Sequence, residues 1–179
     1  DIAVVHKGGV EGTKMLALGG RAFTKRLADK LGKSFEDAER VKLKYSADRL
    51  SPEAMVKIKE LFEGDVRVWL SGVELALSEF RGIDLLPSKI FLCGGGSLLP
   101  GIKEALLSPH WVENLPFARQ PKVSYIEPSN VRDVVDKTGK LKEASDITPM
   151  TLANVAIELA GEEGVVSKIL RSVVGVIQT

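Results

Sequence analysis

Between Ser51 and Phe80 the apolar side chains Met55, Ile58, Phe62, Val66, Trp69, Val73, Ala76 and Phe80 recur at steps of three and four. Only an α-helix gathers that spacing onto one stripe. Ser51 stands where an N-cap is needed, and Pro52 suits a first helical turn. The pattern predicts one helix of roughly thirty residues laid lengthwise against a neighbour, around which the rest of the chain must fold. Gly64 and Gly72 fall inside it. Each costs up to ~1 kcal/mol relative to alanine, and a bend near one of them is expected.

The flanking segments alternate between strand and helix signals. Residues 1–6, DIAVVH, predict a buried strand; Gly8-Gly9 offers a tight reversal, and a second strand follows through 14–18. A strand at residue 1 with no lead-in suggests a fragment of a longer protein. Gly19-Gly20 opens a helix over 22–31 with Gly32 at its end, and Ser34 followed by Asp37 caps another reaching about residue 45. Beyond the long helix come a strand at 90–93, a helix at 99–107 and a strand at 123–126. Residues 127–147 are polar and include Asp136-Lys-Thr-Gly-Lys140, a turn or mobile loop; a last helix covers 148–160. The sum is a layered α/β domain with no internal repeat.

Composition excludes several classes of function. Of 179 residues, 44% are hydrophobic but only 6% aromatic, enough for a sizeable aliphatic core. Lys and Arg number 25 against 24 acidic residues, so no overall field draws the chain to nucleic acid. The single Cys93 rules out an internal disulfide and suits a reducing cytoplasm, where the chain is expected; it reads as a small buried strand residue. His6 and His110 belong to no metal-ligand pattern, and no apolar run approaches a bilayer span. Trp69 reads as core and Trp111 as a half-exposed loop anchor.

The segment KIFLCGGGSLLPG, residues 89–101, drives four apolar residues into three glycines. A dinucleotide fingerprint needs a third spaced glycine where Leu99 stands, and a P-loop needs lysine where Ile102 stands. Both fail. What remains is bare backbone after a strand with a helix start beyond it, a geometry that suits an anion or the polar face of a nucleotide. Spacing alone favours a structural turn.

KIFLCGGGSLLPGIKEAL resembles the adenosine motif of the actin-like ATPase superfamily, which covers actin, heat-shock chaperone ATPases and sugar kinases. LGGRAFTKRLA, residues 18–28, followed by AERVKLKY, residues 38–45, is similar to the corresponding segments of the bacterial cell-division FtsA and pilus-assembly PilM families. The resemblance implies one lobe, the second, of an actin-like (ribonuclease H-like) fold over residues 1–160: a small mixed sheet with flanking helices. It places Gly94, Gly95, Gly96 and Ser97 at the adenosine end of a nucleotide. It turns Glu39 and Lys42 toward ribose and base, and makes Gly19 and Gly20 the floor, with Thr24 in the first turns above. On residue chemistry alone, Glu39 and Lys42 read as a solvated i,i+3 ion pair worth ~0.2–0.5 kcal/mol.

The implied cofactor is ATP or ADP with magnesium, the metal held mainly by parts absent from this chain, a phosphate loop preceding residue 1 and a missing N-terminal lobe. With one jaw of the cleft, the chain alone is expected to have no meaningful ATPase activity and at best weak nucleotide binding, and no catalytic residue is assigned. FtsA-like proteins usually carry strands where residues 51–86 are helical, so the sub-lobe is read as reduced. The implied function is an ATP-dependent scaffold at the cytoplasmic membrane, with protein partners in a division ring or pilus assembly. A sugar or metabolite kinase lobe, or an interaction module without nucleotide use, are the alternatives. In a tail covering 161–179, Val165, Val166, Ile169, Leu170, Val173, Val174, Val176 and Ile177 share one half of a helical wheel. That stripe either packs on the domain or a partner, the favoured reading, or lies on a membrane surface.

Overall fold

A computed structural model describes residues 1–132 and 134–159. The long helix dominates it. Helix α3, Pro52–Ser78, runs unbroken for 27 residues, and the Ser51 hydroxyl accepts the Ala54 amide at 3.3 Å. Its two halves serve two cores. Ile58, Phe62 and Val66 are buried in the first, and Val73 and Leu77 in the second. The partly buried Trp69 touches both clusters.

The first core is closed by two helices packed on the N-terminal half of α3. Helix α1, Gly20–Leu31, ends on Gly32, whose φ of 60° lets its amide reach back to the last turn. Helix α2, Phe35–Ser46, begins on Ser34, whose hydroxyl accepts the Asp37 amide at 3.1 Å. Phe23 and Leu27 of α1 and Ala38 and Tyr45 of α2 are buried here. Asp65, buried in α3, accepts the Arg26 Nε at 2.5 Å and ties α1 down.

The second core lies under the strands. Strand β1, Ile2–His6, pairs antiparallel with β2, Gly9–Lys14, from Ile2 opposite Lys14 to His6 opposite Gly9. Lys7 and Gly8 both have positive φ, 48° and 84°, the two-residue turn that matches strand twist. Strand β3, Lys89–Leu92, pairs parallel with β4, Lys122–Tyr125, after a crossover through helix α4, Ile102–Leu107. Val4 of β1 is buried in the same cluster against which Ile90, Leu92 and Val123 pack. Residues 147–159 are helical.

Several expectations need correction. The strands form two separate two-stranded sheets among the described residues, not one mixed sheet, because the hairpin closes on itself and β3 pairs only with β4. The tight turn starts β2 at residue 9, not 14. Met15 to Leu18 then leave the sheet, and Leu16 and Leu18 seat on Gly72, where an added Cβ would lie 3.3 Å from Leu18. That close approach, and no break in the helix, accounts for Gly72. Strand β1 is buried on one face only: Val4 is 5% exposed and Val5 52%. The helix expected from residue 99 starts at Ile102, with a 3₁₀ turn at Gly95–Leu98 before it. Strand β3 stops at Leu92, which leaves Cys93 exposed, and Trp111 is buried at 3% exposure with its indole N–H on the Leu106 carbonyl at 3.0 Å. The tail stripe at 165–177 lies outside the described residues.

Candidate functional site

The start of α1 and one side of α2 face the turn after β3 across a cleft of about 990 Å³, at the upper end of ordinary small-ligand sites. One wall is helical. Gly20 and Arg21 come from the first turn of α1; Glu39, Lys42, Leu43 and Ser46, three or four apart, form one face of α2. The opposite wall is Gly95, Gly96, Leu98 and Leu99, with Tyr125 to Glu127 and Lys142 to Ser145 completing the rim.

The helical wall is held by a compact polar cluster. Lys42 Nζ lies 2.8 Å from Glu39 Oε2 and donates to Thr24 Oγ1 at 2.8 Å and to the Gly20 carbonyl at 3.0 Å. The Thr24 hydroxyl also sits in short contact with Glu39 Oε2 and 2.9 Å from the Gly20 carbonyl. Burial pushes the Glu39 carboxyl up. The hydrogen bonds from Lys42 and Thr24, with the charges of Lys42 and Arg21, outweigh that and leave it below the ordinary glutamate value. Glu39 is therefore ionised at neutral pH. Arg21 adds a guanidinium held 5.2 Å from the Phe35 ring centroid.

The glycine wall is backbone by necessity. Gly94 has φ 82°, a region L side chains avoid, and its amide donates to the Ala144 carbonyl at 2.8 Å. Nothing lies within 4 Å of where a Gly95 Cβ would stand, and a Gly96 Cβ would meet only the Gly20 amide nitrogen, at 3.7 Å. The ledge is open. Ser97 is 8% exposed and points inward, its hydroxyl on the Gly94 carbonyl at 2.7 Å.

Of the residues singled out in the sequence, Gly20, Glu39, Lys42, Gly95 and Gly96 meet at this cleft. Gly94, Ser97 and Gly19 do not line it. Gly94 and Ser97 shape the turn from behind, and Gly19 is the N-cap of α1, accepting the Ala22 amide at 2.9 Å. Sequence reasoning missed Arg21 and Phe35, Tyr125 to Glu127, and Lys142 to Ser145. Arg21 had a signal, since it follows the paired glycines at the helix start. Residues 142–145 had none, because they return through long-range contacts, the Gly94 amide on the Ala144 carbonyl and the burial of Ala144, that leave no local pattern. Among the described residues, no three His, Cys, Asp or Glu side chains gather as a metal site.

Comparison with known proteins adds a family. No curated protein matches the chain. The model of one family, described as "Cell division protein FtsA", matches residues 1–134. The match takes in both walls of the cleft except Lys142 to Ser145, and with it the glycine turn and the α1–α2 pair. Spanning well over half of the 179 residues, it shows that the chain belongs to the cell division protein FtsA family.

Proposed function

We propose that this chain is the adenosine-binding lobe, actin-like and of ribonuclease H-like architecture, of a nucleotide-dependent division scaffold. The observation that carries the reading is the open ledge at Gly95 facing an ionised Glu39 across the cleft. A carboxylate accepts hydrogen bonds from the hydroxyls of a ribose. A wall without side chains lets a planar base approach, and Leu43 and Leu98 offer apolar surface beside it. The cleft is large enough for a nucleoside, and its donors and acceptors fit that end of ATP or ADP. The magnesium ion that accompanies ATP neutralises phosphate charge; the residues described here bind and orient the nucleoside end. As a family member the protein is a cell-division protein. The finer reading adds protein partners of the division apparatus, a complementary lobe over the phosphates, and a tail at 165–178 that packs on the domain or a partner, with the inner face of the membrane as its second destination.

Titration of the chain with ATP and ADP in a thermal-shift assay tests the central part. Ligand at ten times its Kd stabilises the folded state by about 1.4 kcal/mol. For a domain of this size that raises Tm by about 3–6 °C. Gly95→Glu places a carboxylate in open space, so the fold is retained and the shift is abolished. A wild-type chain that shows no shift, or a Gly95→Glu chain that keeps it, refutes the reading. Sedimentation with anionic liposomes, with and without residues 162–179, tests the membrane part; equal pelleting removes it.

A further inference from the structure

The polar cluster behind Glu39 answers a question the cleft raises: which of its groups can touch a ligand. An ammonium has three N–H donors. Those of Lys42 are directed to Glu39 Oε2 at 2.8 Å, the Thr24 hydroxyl at 2.8 Å and the Gly20 carbonyl at 3.0 Å. Its side chain is 12% exposed. No donor of Lys42 is left for a bound molecule, although the residue lines the cleft. Glu39 differs. Its Oε2 takes both Lys42 and Thr24, while Oε1 has no partner among the described residues, and the side chain is 34% exposed.

Thr24 sits where these bonds cross. It is fully buried on α1, at 0% exposure, yet its hydroxyl reaches two side chains of α2. A helical threonine bonding the carbonyl four residues back is commonplace. Here the single hydroxyl proton lies within reach of two acceptors, the Gly20 carbonyl and Glu39 Oε2, while the oxygen accepts from Lys42, and the contacts to Glu39 and Lys42 fix α2 against α1 at the cleft wall. A hydroxyl accepts from an ammonium and donates to a carboxylate at once, which valine cannot do and serine can.

We infer that Thr24 is a positioning residue for sugar recognition: its buried hydroxyl holds the Glu39 carboxylate so that Oε1 faces the cleft for a vicinal diol, and Lys42 acts through that carboxylate, not on the ligand. The ligand half of this inference rests on the adenosine reading above; the positioning half does not.

Two readouts separate the halves. The first is the side-chain carboxyl titration of Glu39, followed by ¹³C NMR in wild type, Thr24→Val and Thr24→Ser. The midpoint lies below the ordinary glutamate value in wild type and Thr24→Ser, and rises in Thr24→Val. The second is the affinity ratio of ATP to its 2′,3′-dideoxy analogue, from NMR shift titrations. Thr24→Val weakens ATP about tenfold, the scale of one charge-assisted hydrogen bond, and leaves the dideoxy analogue unchanged; Thr24→Ser keeps the wild-type ratio. Lys42→Met carries the same test if Thr24→Val does not fold. Selective loss of ATP supports action through Glu39, and equal loss of both nucleotides overturns it. A folded Thr24→Val chain with unchanged titration and ratio overturns the role of Thr24. If wild type binds neither nucleotide while Thr24→Val alone moves the Glu39 midpoint, positioning stands and the adenosine reading falls.

Discussion

Replacing Phe62 by alanine removes the joint on which the cleft's helical wall is mounted. Phe62 is 2% exposed at the meeting of three helices. Its ring lies 5.7 Å from Phe23 of α1, edge to face at 66°, and 5.7 Å from Tyr45 of α2. A buried Phe→Ala change costs about 3–5 kcal/mol from lost burial and the cavity left behind. Each aromatic pair contributes about 0.5–1.5 kcal/mol beyond its area. Both pairs end on Phe62, and neighbours from three helices cannot collapse together into one void, so the upper figure applies: about 5 kcal/mol. Phe62→Leu keeps most of the volume and should cost about 1–2 kcal/mol. Urea unfolding of the three proteins, with m held common, reads these differences directly. At 2–4 °C per kcal/mol, Phe62→Ala should also melt about 10–20 °C lower. A cost below about 2 kcal/mol would show that α1 and α2 do not depend on α3 as described, and the account of how the site is held would fail with it.

Two further outcomes follow from the charges. Asp65→Ala should destabilise by about 1–3 kcal/mol, less than a fully buried pair because Arg26 is 59% exposed, whereas Arg26→Ala leaves the 6%-exposed Asp65 without its partner and should cost at least as much; equilibrium unfolding compares them, and the reverse order would contradict the assignment. Asp136 is ionised well into acid: hydrogen bonds from Thr138 and Leu141 hold its carboxyl down at about 2 against an ordinary 3.8. A depressed pKa stabilises the loop fully above 3.8, and that contribution is lost as pH falls toward 2. The Thr138 and Leu141 amide shifts should titrate with a midpoint near 2, and Asp136→Asn should abolish the transition; a midpoint near 3.8 would refute the loop geometry.

Most of the helical frame was legible in the sequence because its signals are local. Ser34, Ser51-Pro52 and Gly32 sit at helix ends where backbone chemistry demands such residues, and the three-and-four stripe of α3 needs no tertiary context. The errors have physical reasons too. Leu99 precedes Pro100, whose ring disfavours helical backbone at the residue before it, so the helix waits until Ile102 behind Gly101 at φ 97°. The run Ile90 to Cys93 hid a two-residue alternation: Ile90 and Leu92 pack on the second core, while Phe91 and Cys93 face out. At the site, Glu39 and Lys42 form the i,i+3 ion pair that spacing alone allowed, but with Lys42 at 12% exposure it is not the solvated pair expected, and both line a cleft. What spacing could not convey is that Thr24, fifteen residues before Glu39 on another helix, joins the pair.

Bare backbone at Gly95 and Gly96 receiving a nucleoside against Glu39 is the central proposal. Isotope-edited NOE measurements on the labelled chain with saturating ADP test this most directly. Contacts are expected from the adenosine protons to the Gly95 and Gly96 amides and to Leu43, with the Glu39 side-chain signals perturbed. Contacts confined to other surfaces, with those four residues unmoved, would contradict it.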